Sequence, residues 1–259
     1  NQKNGKGGVV KVLKINSALS YLRVFVILLL LWQALSLALK LPFIPSPADI
    51  FANLYGIFVS DIAAHALFSL WRAFAGILLS IFIGVPLGLC MGFYKAWDRL
   101  LSPVAYFVYP IPKIALLPLV MLIFGLGEAS KIIMITLIIV FQVIVASRDA
   151  VKSIPKETFY SLRSLGAGNL DIFKKAVIPA SLPGLLTSLR VSLGTALSVL
   201  FFTETFGTMY GMGYFIMDSW MRVNYVDMFS GILVLSVVGF LLFLLIDILE
   251  RVLCPWKSK

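Results

Sequence analysis

Long apolar blocks separated by short polar breaks run through almost the entire chain. The blocks lie at about residues 22–41, 64–93, 103–124, 131–147, 184–206 and 229–250. Because a helix of about 20 mostly apolar residues crosses the hydrocarbon core of a bilayer, this pattern predicts six transmembrane helices. We expect an all-α, polytopic membrane protein with a polar, basic N-terminal segment at 1–21 and a transmembrane domain at 22–259. The first block is interpreted as a retained signal anchor.

Prolines and glycines interrupt this pattern in informative places. Ser46-Pro47 follows a proline-rich break and predicts a new, short helix, because serine caps a helix and proline is tolerated at its first position. We expect that helix to lie in the membrane interface. Glycines repeat along the second block, at positions 76, 84, 88 and 92. Small residues at that spacing let a second helix approach closely.

The third block is broken by three prolines, at positions 110, 112 and 118, and it contains Lys113. A cation and freed backbone groups at membrane depth are tolerated only where protein or water covers them. We therefore expect this segment to face the protein's interior or a solute pathway.

The most polar interior segment covers residues 153–183. Two helix-compatible runs, 157–165 and 169–177, flank the bend Gly166-Ala167-Gly168, and Asn169 is placed to cap the second run. Pro179 and Pro183 predict the end of that helix. We interpret this compact segment as a surface offered to a soluble partner.

Composition and charge exclude two other classes of protein. Apolar residues make up 60% of the chain, charged residues 13%, and the mean hydropathy is +0.99, far from a soluble domain. The net charge of +10 comes mainly from cations in the breaks, with no basic stripe of stacking aromatics, so we expect no nucleic-acid partner. Most cations fall on the side of the N-terminus, the segment 153–183 and the C-terminus, which predicts that both termini are cytoplasmic.

Catalytic and metal-binding patterns are absent from the sequence. It contains no HExxH or G-x-S-x-G motif, a single histidine, His65, and two cysteines, Cys90 and Cys254, without metal-like spacing. We therefore expect neither catalytic residues nor a metal site.

Ionisable residues inside the apolar blocks are the candidates for transport function, because burying a charge in hydrocarbon is costly unless it is paired or hydrated. Glu204 lies in the run TETFGTMYGMGYF, whose glycines allow a re-entrant or gate-like turn. It either lines a pathway or is a structural partner for a cation such as Arg72. Arg190 is expected to extend to the cytoplasmic interface. The pathway or gate candidates are Arg72, Lys113, Glu204, Met209 and Met212.

The segment 153–183 resembles the permease subunits of bacterial ATP-binding-cassette (ABC) importers. Their cytoplasmic motif runs E-A-A, three residues, Gly, nine residues, I-x-L-P, and Gly166 lies thirteen positions before Pro179 as that motif requires. The chain departs from the motif at Tyr160-Ser161-Leu162, where Glu-Ala-Ala is expected, and at Ala176, which replaces the Ile. Glu157, about one turn earlier, can supply a carboxylate from the same helix.

More specifically, the chain is similar to the nitrate/sulfonate/taurine branch of these permeases, with a type I, MetI-like fold. The matching stretches include PSPADIFANL, SLWRAFAGILLSIFIGVPLGLCMG, PIPKIALLPLVMLIFGLGEASKI, KETFYSLRSLGAGNLDIFKKAVIPASLPGLLTSLRVSLGTA and TETFGTMYGMGYFI. The resemblance implies a bacterial cytoplasmic (inner) membrane location, a second permease copy, two cytoplasmic ATPases and an extracytoplasmic solute-binding protein. It also implies that this chain holds no cofactor, with ATP and Mg²⁺ on the ATPases.

The resemblance further implies a coupling helix over 164–173 that docks on the ATPase through Leu165, Leu170 and Phe173. The coupling candidates are Glu157, Tyr160, Arg163, Leu165, Gly166, Ala167, Gly168, Leu170, Asp171, Phe173, Lys174 and Pro179. The expected solute is a small anion such as nitrate, bicarbonate, a sulfonate or taurine, and a vitamin precursor is the alternative. A secondary transporter or channel without an ATPase, and a scaffold protein, stay open as other classes.

Overall fold

The computed structural model describes residues 23–24 and 26–258, so the predicted segment 1–21 lies outside the described residues. Every regular element within them is helical. The helices are α1 (Val26–Leu39), α2 (Pro47–Ile57), α3 (Ala63–Phe93), α4 (Lys95–Val108), α5 (Leu117–Phe124), α6 (Glu128–Lys152), α7 (Lys156–Ser164), α8 (Asn169–Ile172), α9 (Ile178–Glu204), α10 (Met212–Met221) and α11 (Tyr225–Leu253). Short 3₁₀ helices lie at Lys113–Leu116 and Pro255–Ser258.

Four helical stretches among these residues are long and apolar enough to cross a membrane. They are Pro47–Phe93, Glu128–Lys152, Asn169–Glu204 and Tyr225–Leu253. A fifth arises if α4 and α5, bent by 79° at their break, form one span, and α1 is an apolar helix below that length. The predicted all-α membrane architecture is confirmed, and the count of six spans stays a prediction.

The Ser46-Pro47 helix start is confirmed, although the helix does not end where we expected. The Ser46 hydroxyl accepts a hydrogen bond from the Asp49 amide at 3.1 Å. Instead of stopping, α2 continues through a π-helical turn at Phe58–Ile62 into α3. The Asn53 amide holds α2 against α11 by donating to Asp227 at 2.8 Å.

Helices α3 and α6 pack backbone to backbone along the predicted glycine row. A Cβ atom built at Gly88 would lie 2.4 Å from the Ile144 carbonyl oxygen, and one at Gly92 would lie 2.5 Å from the Val151 Cβ. Glycines 76 and 84 meet Ile135 and Val143 in the same way. No larger side chain fits at these positions, so the row fixes how closely α3 and α6 approach each other.

The core forms around α9, which packs against both α6 and α11. Its buried side chains include Ile139 of α6, Leu193 and Leu200 of α9, and Val238 and Leu242 of α11. The chain order then defines two ends of the bundle. The basic end carries the α3–α4 turn, α7 and α8, and the opposite end carries the start of α6, the end of α9 and α10.

Candidate functional site

The segment at the basic end has the predicted helix–bend–helix form. Helix α7 ends at Ser164, and the Gly166 and Ala167 amides donate to the Arg163 and Leu162 carbonyls at 2.9 and 3.1 Å. Gly166 has a φ of +82°, in the left-handed region that costs other residues free energy. The bend is thus a glycine-dependent helix termination.

Three expectations for this segment were wrong. The bend separates α7 from α8, so 164–173 is not one helix. Asn169 does not cap α8, because the residue at the cap position is Gly168 and it has no side-chain hydrogen bond. Pro179 lies in the first turn of α9, and Pro183 lies inside α9. A π-helical turn at Phe173–Val177 joins α8 to α9, so these prolines do not end the helix.

The side chains of the segment separate into an outward and an inward set. Leu165 and Leu170 are 83% and 68% exposed. Ile172 and Val177 are buried in the core of the bundle. Phe173 was expected to dock on the ATPase, but its ring faces inward and contacts Phe93, with 5.6 Å between ring centres. The segment is anchored on one side and presents leucines on the other.

Charged and polar groups surround those leucines. Tyr160 of α7 is exposed, and so are Glu157, Arg163 and Lys174. Asp171 pairs with Lys175 at 3.0 Å. A cavity of about 530 Å³ lies beside α7, and its lining includes one carboxylate, Asp98, and four cations, Lys95, Lys152, Lys156 and Arg163, of which Lys152 pairs with Asp98 at 2.6 Å. This surface has the charge that would attract an acidic partner.

A second cluster of charges is buried at the opposite end of the bundle. Arg72 of α3, 1% exposed, donates to both carboxylate oxygens of Glu128 at 2.7 and 2.5 Å. It also donates to Glu204 at 2.8 Å and to the Tyr210 carbonyl at 2.7 Å. Arg72 therefore ties α3 to the start of α6, the end of α9 and the loop before α10.

The other groups around Glu204 complete its hydrogen bonding. Glu204 is fully buried and accepts hydrogen bonds from the Ser69 hydroxyl at 2.7 Å and the Gly213 amide at 2.9 Å. Gly211, at φ +132°, donates to His65 Nδ1 at 3.1 Å. A Cβ atom at Gly211 would lie 2.4 Å from the Glu204 carboxyl carbon. Of the two interpretations of Glu204 offered by the sequence, the structure contains the pairing with Arg72.

Sequence reasoning missed Ser69, Glu128 and Lys131 in this cluster. The Lys131 ammonium is buried and donates to the carbonyls of Leu126 and Gly127 at 2.7 and 3.2 Å. The sequence spacing could have indicated these residues. Ser69 lies about one helical turn from Arg72, and Lys131 about one helical turn from Glu128, so the members of each pair share a helix face.

Of the other predicted pathway candidates, Met212 joins this cluster through its backbone amide, which donates to the Ser69 hydroxyl at 2.7 Å, and Lys113 and Met209 lie apart from it. Lys113 lies at the break between α4 and α5 and donates to the Val108 carbonyl. Met209 is exposed on the loop before α10, whereas Met212 is fully buried. Arg190, expected to extend to the interface, pairs with Asp247 and Glu250 of α11, and its position relative to the membrane stays a prediction. In the described part of the chain, no group of three or more His, Cys, Asp or Glu side chains is placed to hold a metal ion.

Comparison with known proteins identifies the class. Residues 76–259 match the family described as binding-protein-dependent transport system inner membrane component, and the chain belongs to this family of ABC importer permeases. Membership makes it a transport subunit whose partners are an ATPase and a solute-binding protein.

Individual relatives cover most of the chain. It is 30% identical to the taurine transport system permease TauC of Escherichia coli, over 90% of this chain and 88% of that one. It is 31% identical to the putative aliphatic sulfonates permease SsuC of Bacillus subtilis, over 83% and 79%. It is 29% identical to the formylaminopyrimidine transport permease ThiX of Halalkalibacterium halodurans, over 91% and 94%.

The fold has a solved counterpart in an inward-facing structure of the MetNI methionine ABC transporter. The TM-score is 0.63 at 19% identity, covering 73% of this chain and 94% of that chain. The MetI-like fold expected from the sequence is confirmed by this match.

Proposed function

We propose that this chain forms the membrane pathway of an ABC importer for a small anionic solute of the sulfonate class. The names of the taurine and aliphatic sulfonate permeases support that solute class. The formylaminopyrimidine permease supports the alternative of a vitamin precursor. Two copies of the chain enclose the pathway, since one copy has few spans for that purpose, and a pair with two-fold symmetry is the commonest assembly.

The observation that carries this proposal is the pair of exposed leucines on an anchored segment. Exposed apolar side chains on a well-packed element mark a surface that a partner covers. Leu165 and Leu170 insert into a groove on the ATPase, while Ile172 and Val177 hold the segment to the bundle. The ATPase's movement on nucleotide binding is passed to the spans through this contact.

Charges at the basic end orient the complex. The cations beside α7 and Lys174 meet acidic residues of the ATPase, and the exposed Glu157 replaces the carboxylate that Tyr160 does not provide. Positive charge concentrates on cytoplasmic loops, so the basic end and both termini lie in the cytoplasm. The solute-binding protein then docks at the opposite end.

The substitution Gly166→Val tests the coupling role. Valine at φ +82° is strained, so the bend should change and move Leu165 away from Leu170. We expect ATP-driven uptake of taurine by the reconstituted transporter to fall at least about tenfold, while the ATPase keeps its basal activity. Proteoliposomes with the permease, its ATPase and the binding protein provide both measurements.

Gly168→Val is the matched control, because Gly168 has a φ of −73° that valine adopts readily. That variant should transport at close to the wild-type rate. Wild-type uptake and solute-stimulated ATPase activity in the Gly166→Val variant would refute the coupling role. Uptake by the permease without any ATPase would instead identify a secondary transporter or channel.

A further inference from the structure

Lys113 is held at the break between α4 and α5, in the part of the bundle between the two charged ends. It is 8% exposed, and its ammonium donates to the Val108 and Tyr109 carbonyls at 2.9 and 3.0 Å. The third contact, to the Ile111 carbonyl, is long at 3.5 Å. The Val108 carbonyl also accepts from the Ile111 amide at 3.2 Å, so Lys113 shares this acceptor, and its third N–H has only the long contact to Ile111.

Among the described residues, no carboxylate lies within ion-pair distance of Lys113. Three cations are buried in the described chain, namely Arg72, Lys113 and Lys131. Arg72 pairs with two carboxylates, and Lys131 lies one helical turn after one of them, Glu128. The other neighbours of Lys113 are instead the rings of Phe141 and Tyr109, whose centres lie 4.9 and 5.8 Å from the ammonium.

Two further polar side chains face the same space. A cavity of about 300 Å³ is lined by Lys113, Gln142 and Thr195 together with Tyr109 and Phe141. Gln142 lies near the middle of α6 and Thr195 in the outer half of α9, and both are half-buried. Within the described residues neither side chain has a hydrogen-bond partner. Unpaired polar groups inside a membrane span mark a hydrated or ligand-lined path.

We propose that this cavity binds the anionic head of the solute as it crosses the membrane. The ammonium of Lys113 supplies an uncompensated positive charge, and the Gln142 amide and the Thr195 hydroxyl donate to oxygens of a sulfonate or carboxylate. The cavity is at the small end of the range for ligand sites, which suits a solute of a few heavy atoms. The identity of the anion as solute rests on the proposed function, whereas the anion preference of the cavity does not.

Cysteine modification measures that preference directly. In a Cys90→Ala/Cys254→Ala background, Thr195→Cys places a thiol in the cavity of the full-length permease, purified with its ATPase in lipid nanodiscs. The thiol is treated with the anionic 2-sulfonatoethyl or the cationic 2-trimethylammonioethyl methanethiosulfonate, and each rate is divided by that for free cysteine. We expect the anionic reagent to be favoured about tenfold or more, as charged clefts concentrate counter-ions to that extent.

Variants of Lys113 show which group causes the preference. Lys113→Gln should bring the normalised ratio close to one, and Lys113→Arg should preserve the preference. Ethanesulfonate at millimolar concentration should slow the anionic reagent at Thr195→Cys more than ethyl methyl sulfone, a neutral molecule of similar shape.

Three results would overturn the proposed site: no modification by either reagent, equal normalised rates, or a preference that survives Lys113→Gln. None of these results depends on ATP-driven transport. A transporter that imports taurine but shows equal rates would therefore retain the proposed function and lose this site. A clear anion preference in a protein that does not couple to an ATPase would retain the site and lose the proposed function.

Discussion

Arg72 and Lys113 are both buried cations in a membrane protein, and they differ in what surrounds them. Arg72 is bonded to Glu128, Glu204 and a backbone carbonyl, so its charge is neutralised within the chain. Within the described residues, Lys113 donates only to backbone carbonyls, and it lies near two aromatic rings beside a cavity. Burial of a charge therefore does not by itself indicate a pathway. We infer that a buried cation indicates a pathway when no carboxylate of the described residues pairs with it.

The energetic consequences of the two arrangements are opposite. A buried ion pair is costly to desolvate, and removing one partner leaves the other charge uncompensated. A buried ammonium without a counter-charge is already uncompensated, so an anion that enters the cavity lowers the free energy. We therefore assign Arg72 and Glu204 to the structure of the bundle and Lys113 to the solute.

The largest expected effect on stability comes from Arg72→Gln. This change leaves fully buried Glu204 without its cation, with Ser69 as its remaining bond to α3, so we expect the free energy of unfolding to fall by about 3–5 kcal/mol. Chemical unfolding in detergent micelles, or the yield of monodisperse protein, measures the loss. The double variant Arg72→Met/Glu204→Gln should recover part of it. An unchanged stability of Arg72→Gln would break the comparison.

A smaller effect is expected for Glu128→Gln. The Glu128 side chain is 44% exposed, so water screens its pair with Arg72, and Arg72 keeps Glu204 as a partner. We expect a loss of about 1 kcal/mol or less in the same unfolding measurement. A loss as large as that of Arg72→Gln would show that the pair with Glu128, rather than the one with Glu204, holds this end of the bundle.

The smallest effect on stability is expected for Lys113→Gln. Two hydrogen bonds of about 1 kcal/mol each are lost, but so is an uncompensated buried charge, and the two changes offset each other. Uptake of taurine by the complete transporter should nevertheless fall at least about tenfold. Arg190→Gln, which removes a cation already paired with Asp247 and Glu250, is the matched control and should leave uptake closer to normal. Equal losses of uptake in both variants would remove the distinction between paired and unpaired cations.

Helix starts and close contacts could be predicted from the sequence, because each depends on a few neighbouring residues. The Ser46 cap and the glycine row of α3 are such cases, and the structure contains both. The left-handed bend at Gly166 is another, since only glycine adopts that conformation without cost.

The structural role of Pro179 and Pro183 in α9 could not be predicted in the same way. A proline lacks a donor and fixes φ, and these properties are equally compatible with the end of one helix and the first turn of the next. The π-helical turn at Phe173–Val177 decides between them by carrying the chain from α8 into α9. Phe173, the first residue of that turn, contacts Phe93 of α3, so the turn lies in a tertiary environment that the local sequence does not specify.

The partners of the buried charges could be predicted only in part. The sequence left pairing with Arg72 as one of two interpretations of Glu204, and choosing it requires knowing that the start of α3 and the end of α9 lie at the same end of the bundle. Gln142 and Thr195 are single polar residues within apolar blocks, and the sequence did not predict that either belongs to a site. Their importance follows only from the cavity that they share with Lys113.

The continuity of the helical backbone from Asn169 to Glu204 has a mechanical consequence. With no non-helical residue in between, α8, the π-helical turn and α9 form one continuous helical stretch, roughly 50 Å long at the usual rise per residue. One end of this stretch carries Leu170, and the other carries the carboxylate that Arg72 holds. In the proposed coupling, a displacement of Leu170 is therefore passed along a single helical connection to the opposite end of the bundle, where Arg72 fixes the position of its last residue.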